Sequence, residues 1–86
     1  MKSFATPKFW QAYKALPESI QKAARKQYRL WQNNPRHPSL QFKPIGPLWS
    51  VRVTQDYRAL ALLEYDCYYW IWIGTHAEYN QILKGQ

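Results

Sequence analysis

Residues 49–63 read Trp49-Ser50-Val51-Arg52-Val53-Thr54-Gln55-Asp56-Tyr57-Arg58-Ala59-Leu60-Ala61-Leu62-Leu63. Before the polar break at Gln55-Asp56, the apolar Trp49, Val51 and Val53 alternate with Ser50 and Arg52. That period of two puts apolar side chains on one face of a strand. After the break, Tyr57 to Leu63 is apolar at nearly every position, the pattern of a strand covered on both faces and therefore central in its sheet. A turn around Gln55-Asp56 joins the two as a hairpin, so the pair is antiparallel. A loop of about three residues would leave Arg52 and Arg58 near each other on one face.

Reading outward from this hairpin gives the remaining elements. Tyr68 to Ile73, dense in Trp, Tyr and Ile, predicts a further strand. Thr75-His76-Ala77-Glu78 has the Thr-x-x-Glu form of a capping box, and Tyr79, Ile82 and Leu83 would line the short helix that follows. On the N-terminal side, Leu40, Phe42 and Ile45 predict a strand broken by Pro44-Ile45-Gly46-Pro47. Before it, Asn33-Asn34-Pro35-Arg36-His37-Pro38 is rich in turn formers and ends a helical stretch. Two helices precede that turn. Thr6 and Pro7 supply an N-cap and a first helical position, and Phe9, Ala12, Tyr13 and Leu16 form an apolar stripe. Pro17-Glu18 restarts the chain, and Ile20, Ala23, Ala24, Gln27, Tyr28 and Trp31 repeat the spacing. Met1 to Ala5 adds an edge strand. The expected fold is α+β: an N-terminal helical hairpin packed on a twisted antiparallel sheet, with a short C-terminal helix, as one domain over 1–86.

Composition agrees with a folded core and points to an anionic partner. Five Trp, seven Tyr and three Phe in 86 residues supply the bulk that so short a chain needs, since each ring buries roughly 150–250 Å². The formal net charge is +7, unevenly spread. Residues 1–43 hold nine Lys/Arg against Glu18 alone, a net of +8, while residues 44–86 come to −1. A basic half attracts phosphate backbones, anionic headgroups or an acidic protein. Cys67 is the single cysteine, which excludes an internal disulfide and a Cys-based metal cluster and reads as apolar filling of a strand. Met1-Lys2-Ser3-Phe4 opens no apolar leader, and no apolar stretch approaches the roughly 20 residues of a membrane span. A cytoplasmic location is expected, with no membrane partner.

No glycine-rich phosphate loop, Ser-His-Asp arrangement or metal-ligand spacing is present, so neither a cofactor nor a metal is expected. What stands out is cationic side chains on strands. Arg58 interrupts an apolar run, and an unpaired buried charge is costly, so it needs either a partner or a task. Arg52 reads equally as an exposed edge residue, as one member of an ion pair with Asp56, Glu64 or Asp66, or as half of an anion site. His76, just past the last strand, is either a polar first-turn residue or a titratable group able to move a proton near neutral pH. Tyr79 reads as packing of the last helix, Glu78 as part of the cap, and His37 as a loop residue. Lys22, Arg25, Lys26 and Arg29 recur at helical spacing without interleaved Glu, either a solvated face or a surface for a phosphate-rich partner.

Five segments carry a resemblance in order and spacing: Leu16-Pro17-Glu18-Ser19-Ile20-Gln21-Lys22, Asn34-Pro35-Arg36-His37-Pro38-Ser39-Leu40, Trp49-Ser50-Val51-Arg52-Val53, Tyr57-Arg58-Ala59-Leu60 and Trp72-Ile73-Gly74-Thr75-His76-Ala77-Glu78-Tyr79. Together they resemble the RelE/ParE superfamily of toxins from type II toxin–antitoxin systems over nearly the whole chain. The resemblance implies a toxin held inactive by a cognate antitoxin protein. Its RNA-cleaving branch implies a metal-independent endoribonuclease that cuts mRNA on the ribosome through attack of a 2′-hydroxyl on the adjacent phosphate, arresting translation. In that reading Arg58 stabilises phosphorane charge, His76 is the general acid or base, Tyr79 orients or stacks on the base, and Arg52 and Lys43 are further phosphate contacts. The stripe Lys22, Arg25, Lys26 and Arg29 meets ribosomal RNA. The sheet lysines of some members are reduced here to Lys43, and no acid stands where some relatives carry a catalytic Glu. The gyrase-binding branch shares the fold and lacks the catalytic set, so inhibition of DNA gyrase without chemistry is the alternative.

Overall fold

The computed structural model describes residues 2–85. The chain runs β1 (Lys2–Ala5), α1 (Pro7–Lys14), α2 (Glu18–Asn33), one 3₁₀ turn (Pro38–Leu40), β2 (Lys43–Ile45), β3 (Leu48–Thr54), β4 (Tyr57–Glu64), β5 (Cys67–Thr75) and α3 (His76–Lys84). Local chemistry sets several of these boundaries. Thr6 caps α1 by accepting from the Phe9 N–H at 3.2 Å, and its hydroxyl donates to the Trp70 carbonyl at 2.8 Å, tying the helix start to β5. Pro17 separates the helices, and its carbonyl accepts the Ile20 and Gln21 N–H groups that open α2. Tyr65 and Asp66 both take left-handed φ in the two-residue turn between β4 and β5, which fits the right-handed twist of the strands.

The five strands are ordered β1-β5-β4-β3-β2, with β4 central as its apolar run predicts. Strands β2 to β5 are antiparallel, but β1 joins β5 in parallel, so the sheet is mixed rather than wholly antiparallel. Strand direction is not encoded in the alternation of a four-residue segment; it follows from the passage through both helices before the chain meets the sheet again. Met1 lies outside the described residues. The strand expected to start at Leu40 begins only at Lys43. His37 accepts from the Ser39 N–H through Nδ1 at 3.2 Å, Pro38 favours a helical start, and Gln41 reverses the chain at φ 45°, so Leu40 sits in the 3₁₀ turn. It is nonetheless fully buried.

Alternation divides the strand residues between two covered faces. Val51, Val53, Ala59, Ala61, Trp70 and Ile73 face α1 and α2, with Trp31 of α2 at their centre. Leu48 and Leu60 face the other way, under Tyr79 of α3. The pairing slips twice, leaving Val53 unopposed between β3 and β4 and Ile71 unopposed between β4 and β5. Such bulges twist a strand and re-aim its side chains. The expected helical hairpin is present but splayed. Gln21 Nε2 holds the two helices together at the Tyr13 carbonyl, 3.0 Å away, after which α1 follows β5 and α2 follows β3. A cleft of about 680 Å³ opens between them.

Trp31 is 1% exposed and meets Phe42, Tyr68 and Trp70 edge-on at centroid distances of 5.7, 5.3 and 5.2 Å. Among the described residues no group accepts from the buried indole N–H groups of Trp31 and Trp70, so the two rings contribute through packing. Trp31→Ala is expected to cost about 3–5 kcal/mol in urea unfolding, a large part of a small domain's stability. An unchanged midpoint would remove Trp31 from the centre of the core.

Thr75 and Glu78 form the complete capping box at the start of α3. The Glu78 N–H donates to Thr75 Oγ1 at 3.1 Å, and Glu78 Oε1 accepts from the Thr75 N–H at 3.0 Å and its hydroxyl at 2.9 Å. Those two bonds, the backbone one first, hold the Glu78 carboxyl below the usual range. A carboxyl so depressed stabilises the fold above the ordinary carboxylate range, and the contribution disappears as pH falls through the lowered value. Thr75→Ala is expected to destabilise by about 1 kcal/mol at neutral pH. Glu78→Gln is expected to flatten the acid limb of the stability curve; identical acid limbs would mean the box does not persist in solution.

Candidate active site

On the α3 side of the sheet, cross-strand pairing lines up the cations predicted from sequence. Arg52 of β3 stands directly opposite Arg58 of β4, which stands opposite Gly74 of β5. The neighbouring row is Lys43, Ser50, Leu60 and Trp72 across β2 to β5. Lys43 is exposed at the sheet edge and Ser50 is buried beside it. Two arginines facing each other at cross-strand distance repel. No acid within ion-pair distance relieves them: the single salt bridge among the described residues joins Lys22 to Glu18.

The relief comes from backbone dipoles. Arg58 Nη1 donates to the carbonyls of Thr54 at 2.6 Å, Tyr57 at 3.0 Å and Gln55 at 3.2 Å. The loop is two residues, Gln55-Asp56, tighter than expected, and the Val53 bulge beside it interrupts the ladder. Carbonyls at a bulged turn lack their regular partners, and a guanidinium fork can satisfy several of them at once. Partial burial, then the Arg52 charge, pull the Arg58 proton affinity below that of free arginine, while Tyr79 and Asp56 push the other way. It stays cationic at neutral pH. Among the described residues only Nη1 of the fork is engaged, and a half-buried cation so held has donors with which it could receive an anion.

The start of α3 meets the same end of the sheet. His76 is its first residue, and its backbone N–H donates to the Asp56 carbonyl at 2.7 Å. The half-buried imidazole lies edge-on to the Tyr79 ring at 5.4 Å. Tyr79 is 6% exposed and packs on Leu48 and Leu60, so it is a core residue as its helical spacing predicts, and it also faces Arg58. Gly74 permits this docking. A Cβ there would lie 2.5 Å from Trp72 Cζ2 and 2.9 Å from Glu78 Oε1, so any side chain would have to displace the Trp72 ring and the capping carboxylate. Arg52, Arg58, His76 and Tyr79 are thus brought together, with Lys43 one row away.

The stripe Lys22, Arg25, Lys26 and Arg29 is exposed on α2, across the sheet from this cluster. Lys22 pairs with Glu18 at 4.0 Å and Arg25 Nη1 donates to the Tyr13 hydroxyl at 2.6 Å. These cations therefore form a second surface, not an extension of the first. Sequence reasoning missed the turn carbonyls that hold Arg58, because backbone acceptors have no residue signature. It also assigned Gln27 to the apolar stripe, whereas its Nε2 donates to the Arg52 carbonyl at 3.0 Å and braces β3 from behind. Among the described residues, no three His, Cys, Asp or Glu side chains gather as a possible metal site, and no helix is long and apolar enough to cross a membrane.

The fold has counterparts among solved toxins. The chain superposes on RelE in the RelB–RelE antitoxin–toxin complex of Methanococcus jannaschii with a TM-score of 0.72 at 16% identity, over 92% of this chain and 96% of that one. For YafQ of E. coli the values are 0.73, 15%, 91% and 96%, and for the isolated E. coli RelE toxin 0.62, 11%, 98% and 96%. At these identities the likeness is one of fold. No functionally curated protein is detectably similar in sequence. The model of the ParE-like toxin domain matches residues 18–81, most of the chain. With that match and this fold, the chain belongs to the ParE-like toxin family, within the RelE/ParE superfamily of toxins from toxin–antitoxin systems.

Proposed function

We propose that the chain is a ribosome-dependent mRNA endoribonuclease. The observation that carries this reading is the convergence of Arg58, Arg52 and the His76–Tyr79 pair on one face at one end of the sheet. The chemistry is transesterification: the substrate's 2′-hydroxyl oxygen bonds to phosphorus as the bond to the 5′-oxygen breaks. In this reading Arg58 stabilises the charge that builds on the phosphorane oxygens, and Arg52 adds a second positive field. His76 takes the proton from the attacking 2′-hydroxyl or delivers one to the leaving 5′-oxygen, and water carries the other transfer. Tyr79, packed in the core, orients the imidazole through the edge-on contact of the two rings. Lys43 contacts a flanking phosphate, and the exposed α2 stripe contacts ribosomal RNA through charge, a term that weakens with salt.

The partner that restrains this activity is a cognate antitoxin, as RelB accompanies RelE in the archaeal complex. The cleft between α1 and α2 is its docking place in this account. The walls and floor are apolar, including Val51, Val53, Trp31 and Trp70, and Phe4, Trp10 and Tyr28 expose 55%, 46% and 39% of their surface beside it. Arg25 and Arg29 line its α2 side, so an amphipathic segment with acidic flanks fits. Because the cleft lies behind the sheet, Trp10→Asp is expected to weaken antitoxin binding by at least about tenfold in calorimetry while leaving RNA cleavage intact. Undiminished binding would place the antitoxin elsewhere.

A second reading, a toxin that binds DNA gyrase and performs no chemistry, is favoured by the family model, which describes a ParE-like domain. Side-chain chemistry separates the two. Arg58→Ala is expected to reduce single-turnover cleavage of ribosome-bound mRNA by about 10²–10³-fold, with Arg52→Ala the milder change. His76→Ala is expected to slow cleavage without loss of ribosome affinity. Equal effects at both arginines would contradict the assigned roles, and growth arrest unaffected by His76→Ala would transfer the assignment to gyrase.

A further inference from the structure

The turn between β3 and β4 holds two groups of the candidate site at once. Its residues Gln55 and Asp56 are exposed, yet four backbone carbonyls at or beside it are committed. Those of Thr54, Gln55 and Tyr57 receive Arg58 Nη1. That of Asp56 receives the His76 N–H at 2.7 Å, the one backbone bond among the described residues that links the turn to α3. The conformation that presents all four is closed from inside: the Asp56 N–H donates to Thr54 Oγ1 at 3.2 Å. From behind, Gln27 Nε2 holds the Arg52 carbonyl on the same bulged segment at 3.0 Å.

We propose that this turn is the positioning device of the site, with the Thr54 hydroxyl as its positioning residue. Thr54 does not reach the reacting atoms. It holds the Asp56 N–H while the Asp56 carbonyl holds the His76 N–H, so that one end of the turn fixes the Arg58 fork and the other fixes the first residue of α3. A two-residue loop beside a bulge has more than one backbone conformation open to it, and a short hydroxyl bridge of this kind selects among them. Without the hydroxyl, the Asp56 amide turns to water and the separation of Arg58 from His76 is no longer fixed. Both groups remain and the fold remains, but they no longer engage one phosphate together. This rests on the endoribonuclease reading, and the measurements below separate the failure of one from that of the other.

The test compares wild type with Thr54→Val, which keeps shape and strand preference but lacks the hydroxyl, and with Thr54→Ser, which restores it. Thr54→Ala is made as well, for the case in which the valine does not fold. Single-turnover cleavage of a defined mRNA on ribosomes is expected to fall in kcat by roughly tenfold to a hundredfold for Val and Ala with KM unchanged, and to return toward wild type for Ser. Thermal melts are expected to differ little among the four proteins. Cleavage by Thr54→Val at the wild-type rate would overturn the proposal. So would a loss shared by KM and melting temperature, or one that serine does not restore, because a merely structural threonine behaves in that way. The Arg58 Nε–Hε resonance in ¹⁵N spectra reads the positioning without any reaction. It is expected to shift or broaden in Val and Ala and to match wild type in Ser. If wild type cleaves no mRNA, the endoribonuclease reading fails on its own, and an unmoved Arg58 resonance in Thr54→Val would overturn the positioning role independently.

Discussion

Arg58 stands on the central strand directly opposite Arg52, a like-charge contact that destabilises the antiparallel pair β3–β4 unless it is relieved. Relief by carboxylates would have produced an ordinary ion pair with its positive potential cancelled. Here it comes from the carbonyls of Thr54, Gln55 and Tyr57, whose dipoles satisfy the fork and leave the net charge in place. The bulge at Val53, the two-residue loop and the half-burial of Arg58 all follow from, or serve, that arrangement. In the proposed reading it is also what would draw a phosphate to this face, since a charge stabilised in advance needs no reorganisation when an anion arrives.

The same strands work on their other side. Val51, Val53 and Ala59 alternate with Arg52 and Arg58 and form the floor of the cleft between α1 and α2. One thickness of sheet therefore separates an apolar cleft flanked by basic α2 residues from a cationic row flanked by His76 and Tyr79. The period-two alternation divides recognition of a protein partner, in this account, from recognition of a phosphate backbone. Trp31 fixes α2 over one face and the Thr75–Glu78 box caps α3 over the other, so each surface has its own support.

Much of this was legible in the residues. Alternation in Trp49 to Val53 and the unbroken apolar run in Tyr57 to Leu63 identified the hairpin and its central strand; Thr75 and Glu78 identified the last helix by a cap whose geometry is specific. Arg58 drew attention because a charge in an apolar run requires compensation. The parts that were not legible are those decided by tertiary geometry. The parallel pairing of β1 depends on where the chain re-enters the sheet. Leu40 is buried whether it lies in a strand or a 3₁₀ turn, so hydrophobicity does not distinguish them. Spacing placed Gln27 on the core stripe, and only the structure reveals the carbonyl that its amide reaches. The separation of the α2 stripe from the sheet cluster is likewise a matter of which side of the sheet each helix covers.

The central claim is that the cationic row acts on RNA held by the ribosome. The most direct measurement is primer extension on one defined mRNA in a reconstituted translation reaction, with purified toxin, in the presence and absence of ribosomes. The account predicts discrete new 5′ ends within the translated region only when ribosomes are present. An intact message at toxin concentrations that still stop growth would contradict it.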